Sequence, residues 1–271
     1  MSWFKDLFVD EAKSALSRRY GAGGGSAKTL SAALRECTDF SNFNVNNARA
    51  PIVDSMDFDD TINGTSFNSF FHSCKRNRDT IPLFNTSNGT DFTYMFWSCW
   101  SITTIPRFNT SNGTNFSHMF HDCGALTSIP ELDFSKGTSF QRTFNLCVKL
   151  TTVPPFNTKN GQYFDYMFFG CNILPTIPLL CVDNAKSFAG TFQNCNKLVN
   201  LKLDGTIKIN GFDVSTSPLL SHVSLMGIIN ALADKTSDTS TTWKVTLGSA
   251  NLEKLTDDEK LIAQEKGWTL A

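Results

Sequence analysis

The chain has 271 residues and a mass of 30.0 kDa, room for one large domain or two small ones. Its 24 Lys and Arg against 25 Asp and Glu leave a formal net charge of −1, without the basic surplus that a polyanion partner requires, so nucleic-acid binding is disfavoured. An apolar fraction of 41% suits a packed core rather than a disordered chain, and no run approaches the ~18 apolar residues of a membrane span.

The first ten residues, Met1 to Asp10, mix charges among apolar residues, which argues against an export signal. Residues 3–20 read as an amphipathic helix, with Trp3, Phe4, Leu7, Phe8, Ala12, Ala15, Leu16 and Tyr20 on one stripe. Residues 21–27, rich in glycine, read as a flexible joint. An apolar helix on such a joint suits docking onto another chain, either a second copy or a larger assembly. The alternative is a helix folded back over the end of the main body. Residues 28–66 read as a degenerate opening coil, since Leu34 and Cys37 and then Asn63-Gly64-Thr65 and Phe67 echo the pattern that follows.

That pattern occupies residues 67–200. Cysteines stand at positions 74, 99, 123, 147, 171 and 195, and the chain holds 24 Phe against 4 Tyr and 5 Trp. Seven residues before each of these cysteines stands a Phe (Phe67, Phe92, Phe116, Phe140, Phe164, Phe188), and three before it another (Phe71, Phe96, Phe120, Phe144, Phe168, Phe192). Pro82, Pro106, Pro130, Pro154 and Pro178 keep the same spacing. Such self-similarity is the mark of repeated units that bury their apolar face only by stacking.

Within one unit, Phe92, Met95, Phe96 and Cys99 fall at i, i+3, i+4 and i+7, which predicts a short helix. The segment from Ser101 to Ile105, ending at Pro106, predicts a strand. Asn88-Gly89, Asn112-Gly113 and Asn160-Gly161 read as turn dipeptides that tolerate positive φ. The cysteines, all at one inward position, read as a buried column of free thiols rather than disulfides or a metal cluster. His118, His121 and Cys123 have the look of a ligand set, but Cys123 should face the core and both histidines away from it.

Residues 201–271 lose the period and read as a closing αβ cap. A helix runs from Ser221 to about Asp234 with Leu225, Ile228, Ile229 and Leu232 on one face, and a strand covers Trp243 to Leu247. Thr256-Asp257-Asp258-Glu259 is a capping box that starts a last helix, and Gly267 stops it.

The chemistry-bearing motifs of enzymes are missing: there is no nucleophile elbow, phosphate loop or paired-histidine zinc helix, and Asp57, Asp59 and Asp60 read as solvated acids. No cofactor is expected. The candidate binding residues are aromatic ones that the core does not demand: Tyr94, His118 and Tyr166 with Arg142, then Trp97, His121 and Phe169, with Trp100 beside them. Aromatic rings near planar polar groups suit the stacking of sugar rings; the alternative is that Trp97 and Trp100 pack between coils. Columns such as Thr103-Thr104, Thr127-Ser128 and Thr151-Thr152 could order water on a flat face, or simply be strand-forming surface.

The unit Met119-Phe120 to Cys123, Leu126 and Ile129-Pro130 resembles the BspA-like leucine-rich repeats of bacterial surface proteins and of phage and prophage tail or fibre proteins. The segment from Ser221 to Thr269 resembles the cap that closes many such proteins. The resemblance implies an α/β solenoid, a right-handed stack of about six coils of 24 residues, used for adhesion or recognition and carrying no catalytic residues. With its N-terminal helix and joint, the chain is expected to be a virion protein. Its partners would be other virion proteins or itself through residues 3–20, and a host-surface glycan or protein. A trimer is suggested by analogy with phage fibres, and a bacterial surface adhesin is the alternative.

Overall fold

The computed structural model describes residues 39–40, 58–73, 81 and 83–271. The expected N-terminal helix with Trp3, Phe4, Leu7 and Phe8, the glycine joint, most of the opening coil, Cys37, Cys74, Asp57 and the side chains of Asp59 and Asp60 lie outside the described residues.

Successive units lie on one another through parallel pairing, one bridge per unit. Asp39, Ser66, Asp91, Asn115, Ser139, Tyr163 and Ser187 form a continuous line, each bridged to the next. From there the backbone follows a two-residue alternation. The N–H groups of Phe92, Tyr94, Phe96 and Ser98 donate to the carbonyls of Asn115, Ser117, Met119 and His121 in the next unit, at 2.8–3.0 Å. The N–H groups between them stay within the unit: Met95 donates to Phe92, Trp97 to Tyr94 and Cys99 to Phe96.

This alternation overturns the expected helix. Residues 92–99 are consecutive β-turns, with Tyr94 at φ 58° and Ser98 at φ 55°. Positive φ recurs at the same positions in later units, at His118 and Asp122, Arg142 and Leu146, Tyr166 and Gly170, and Gly190 and Asn194. A left-handed residue at the third position of a turn is what a type II turn requires, and a helix has no place for one. The inward set is nonetheless as expected: Phe92, Met95, Phe96 and Cys99 are all fully buried. The turns curl the chain once every four residues, so they present nearly the same face that a helix would.

The two phenylalanine columns are the spine. Phe67, Phe92, Phe116, Phe140, Phe164 and Phe188 stack with ring centroids 5.3–5.8 Å apart and planes within 15°. Phe71, Phe96, Phe120, Phe144 and Phe168 stack at 5.1–5.5 Å. Phe212 ends the first column edge-on to Phe188. Each offset pair adds about 0.5–1.5 kcal/mol beyond the area that it buries. Beside them the cysteines are buried free thiols. Cys99, Cys123, Cys147, Cys171 and Cys195 each donate S–H to a phenylalanine carbonyl of the unit before, at 3.0–3.2 Å. Cysteine fits because it is small and apolar and yet supplies a weak second donor to a buried carbonyl; the Phe96, Phe120, Phe144 and Phe168 carbonyls also accept the N–H of the cysteine three residues on.

The repeated glycines do a different job from the one expected. Gly89, Gly113, Gly137 and Gly161 do not have positive φ; a Cβ on each would lie 2.2–2.6 Å from the ring tip of the Phe three residues on. Glycine is there so that the ring can lie against the backbone. The expected strand before each Pro is reduced to single contacts, such as Ser128 with Thr152, because Pro removes the N–H that a ladder would use. Among the described residues of the repeat a regular pair appears only in the last units, where β1 (Thr176–Cys181) lies parallel to β2 (Asn200–Asp204) and the register slips between Ile177 and Leu180, around Pro178.

The closing segment contains α1 (His222–Ala231), β3 (Trp243–Val245), α2 (Ser249–Leu252), α3 (Asp257–Glu265) and β4 (Trp268–Leu270). Ser221 caps α1, and Leu225, Ile228 and Ile229 face the core at 0% exposure. Thr256 and Glu259 form both bonds of the capping box. Gly267, at φ 79°, turns the chain into β4, which pairs in parallel with β3. The short α2 and that pairing had no signal in the sequence.

Candidate functional site

The turns that replace the helix decide where the candidate residues sit. Tyr94, His118, Arg142 and Tyr166 occupy the first left-handed position of consecutive units, so their side chains leave the backbone in the same direction, one unit apart. Tyr94 stacks on His118 with centroids 4.4 Å apart, and the Arg142 guanidinium lies 4.9 Å from the Tyr166 ring centre. Trp97, His121, Asn145 and Phe169 form a second row three residues further on. His72, one unit earlier in that row, stacks on Trp97 at 4.4 Å and 8°. The rows interlock: Tyr94 tilts against Trp97 at 5.3 Å, Trp97 against His121 at 6.1 Å, and Tyr166 meets Phe169 edge-on at 5.8 Å.

The result is a strip of rings along the stack, half-buried rather than fully exposed. Tyr94, Trp97, His118, His121, Tyr166 and Phe169 pack against one another, stacked, tilted or edge-on, and each stays partly accessible. Only Trp100 is clearly exposed, at 55%. Its indole N–H donates to Asp122 Oδ2 at 2.6 Å, and the Ser98 hydroxyl donates to the same oxygen at 3.1 Å. Trp97 is half-buried against His72 and His121 of the adjoining units, and Trp100 stands out from the surface. Sequence reading missed His72 and Asp122. Carrying the row of Trp97 one unit toward the N-terminus finds His72 directly, whereas Asp122 gives no signal until the turn brings it under Trp100.

His118 and His121 meet through their Nδ1 atoms at 2.9 Å. Burial first, then the neighbouring His121 and Arg142, pull His118 down to about 4. Burial also lowers His121, which Asp122 opposes and Arg142 assists. Among the described residues no three His, Cys, Asp or Glu gather as metal ligands, and Cys123 points into the core as expected.

On another side of the stack, Arg107, Phe108, Asn109, Glu131 and Asp133 line an open hollow of about 400 Å³. The Arg107–Glu131 pair across it, 3.5 Å apart, is exposed on both sides and contributes little. The exposed threonine hydroxyls of Thr127 and Thr151 donate to the carbonyls of Thr103 and Thr127, so two members of this column also tie one unit to the next. No helix among the described residues is long and apolar enough to cross a membrane.

The family described as Mycoplasma protein of unknown function, DUF285, matches residues 30–153, 64–177 and 100–206. The chain belongs to the DUF285 family. The three DUF285 matches overlap one another along the chain. They cover the whole ring strip from His72 to Phe169 and stop before α1. No curated protein and no solved structure matches the chain.

Proposed function

We propose that this DUF285 chain is a non-catalytic virion protein of a phage or prophage, a tail fibre, head fibre or decoration. In this reading its leucine-rich-repeat solenoid recognises or adheres to a host-surface polymer. The observation that carries the reading is the ring strip. The core is already filled by the Phe and Cys columns, yet consecutive units place Tyr94, Trp97, His118, His121, Arg142, Tyr166 and Phe169 outside it in register, with Trp100 exposed at their side. A linear array of half-buried rings, one guanidinium and a pinned indole suits a polymer with repeating sugar rings, because each unit offers a similar contact at a fixed step. A host-surface protein is the other partner that such a surface fits.

Residues 3–20 are assigned to assembly in this reading, through Trp3, Phe4, Leu7 and Phe8, onto other virion proteins or a second copy; the same surface on a bacterial cell would be an adhesin. A second reading, a purely structural virion component, is favoured by the ring faces being turned toward one another. Whole-cell or glycan-array binding by the full chain separates the two. Trp97→Ala and Trp100→Ala, each checked for an unchanged melting temperature, should weaken binding roughly tenfold or more, the size of a central aromatic contact. Unchanged binding by both folded variants leaves the structural reading.

A further inference from the structure

We propose that the His118–His121 pair is a pH-operated latch on the ring strip, closed while the two rings share one Nδ1 proton and opened when both become cationic. The geometry is the argument. The two Nδ1 atoms are 2.9 Å apart, so one must carry a hydrogen and the other a lone pair. Near neutrality both rings are uncharged and the bond is made. A first proton, taken at an outer Nε2, leaves it intact, because a cationic ring still donates Nδ1–H to a neutral one. A second proton fills the remaining lone pair; both Nδ1 atoms are then donors and the contact becomes repulsive.

The pair's neighbours set where this happens and what it moves. The charged groups facing it are Arg142, from the following unit, and Asp122, next to His121 in the chain. Asp122 favours the first proton on His121, and Arg142 opposes charge on both rings. Tyr94 packs on His118 and Trp97 on His121, with His72 stacked beyond Trp97. His72 is itself held low by burial. The second proton thus falls to His118, at about pH 4. Because folded His118 lies below the ordinary 6.5, the unfolded chain takes up more protons between those values. Stability at the strip is therefore full above about pH 6.5 and is lost as the pH falls through about 4. Opening the latch places two imidazolium groups beside Arg142 and releases both rows of rings at their midpoint.

The latch itself does not depend on what the strip binds; its effect on binding rests on the reading above. The chain has 4 His, few enough for ring ¹H–¹³C NMR of the full-length protein to follow each one. The expected result is two separated steps for His118 and His121, with the lower near 4. In His121→Ala the His118 step should move up by roughly one unit, the scale of a close charge partner. A single common step near 6.5 in the unmodified chain overturns the proposal without any variant, as does a His118 step unmoved in folded His121→Ala. Binding to whole cells at pH 7 and at pH 4 is the separate arm. Absence of binding at both counts against the recognition reading and leaves the latch standing, and equal binding at both removes its functional role.

Discussion

A Phe ring three residues after a glycine is a local arrangement that recurs through the stack, and it makes the glycines sort into three kinds. At Gly113 a Cβ would sit 2.2 Å from Phe116 Cζ and 3.0 Å from a backbone carbonyl. At Gly170 the backbone is left-handed, φ 72°, and a Cβ would lie 2.9 Å from Leu146 Cδ2. At Gly124 the nearest atom is Val148 Cγ2 at 3.9 Å. Gly113→Ala should therefore destabilise by about 1–3 kcal/mol, as overpacking does, and Gly170→Ala by about 1–2 kcal/mol through its φ. Gly124→Ala should be neutral or slightly stabilising, by at most ~1 kcal/mol, since it only restricts the unfolded chain. Urea denaturation of the three variants checks the ranking; equal losses at Gly124 and Gly113 would remove the ring-clearance argument. The Asn-Gly signal marked these turns correctly, but its usual reason, positive φ, is not the reason here.

At the scale of an element, the thiol column ties each unit to the one before. Burial raises Cys123, Cys147, Cys171 and Cys195, the last to about 12, with a neighbouring thiol adding to the rise at Cys123, Cys147 and Cys171. The folded chain therefore holds these protons where the unfolded chain gives them up. Stability is unaffected below about pH 9 and declines as the pH climbs from there toward 12. Thermal melts between pH 8 and pH 11 should show the decline, and a Cys147→Ser, Cys171→Ser double variant should show a shallower one relative to its own value at pH 8. In the native protein these thiols should resist alkylation at neutral pH, and Cys181, half-buried near Asp204, should react first among the described cysteines. Rapid labelling of Cys147 in the folded chain would place it at the surface. The column's burial was legible in the sequence from its position between two Phe rows; its S–H bonds to carbonyls were not, because they join residues 27 or 28 apart.

For the whole molecule, the proposed solenoid makes a demand that a single folded core would not. Each unit is paired chiefly with its two neighbours, so units should be removable one at a time if the period is kept. Deleting residues 124–147 joins Cys123 to Val148 and brings Phe120 and Phe168 into adjacent units without a change of phase. The shortened chain should remain folded, with the same circular-dichroism shape and a lower melting temperature. Loss of cooperative unfolding would count against nearest-neighbour stacking. Deleting half a period instead, residues 124–135, carries every later Phe out of register with the columns before it; this variant should fail to unfold cooperatively and serves as the control.

The sequence by itself determined the period, the inward columns of Phe, Cys and Leu, and the helix face and capping box of the closing segment, because each is a matter of spacing or of adjacent residues. It could not distinguish a helix from a chain of turns over residues 92–99, since both return a side chain to nearly the same face every three to four residues. That choice was made by the neighbouring unit. Its carbonyls accept the N–H groups of Phe92, Tyr94, Phe96 and Ser98, which a helix would have kept for itself, and so they hold Tyr94 and Ser98 in a backbone region that neither residue prefers alone. The exposure of the candidate site follows from the same choice: left-handed positions one unit apart line up Tyr94 and His118, Trp97 and His121 pack beside them so that the four rings cover one another, and Trp100, in the turn that follows Cys99, stays in solvent.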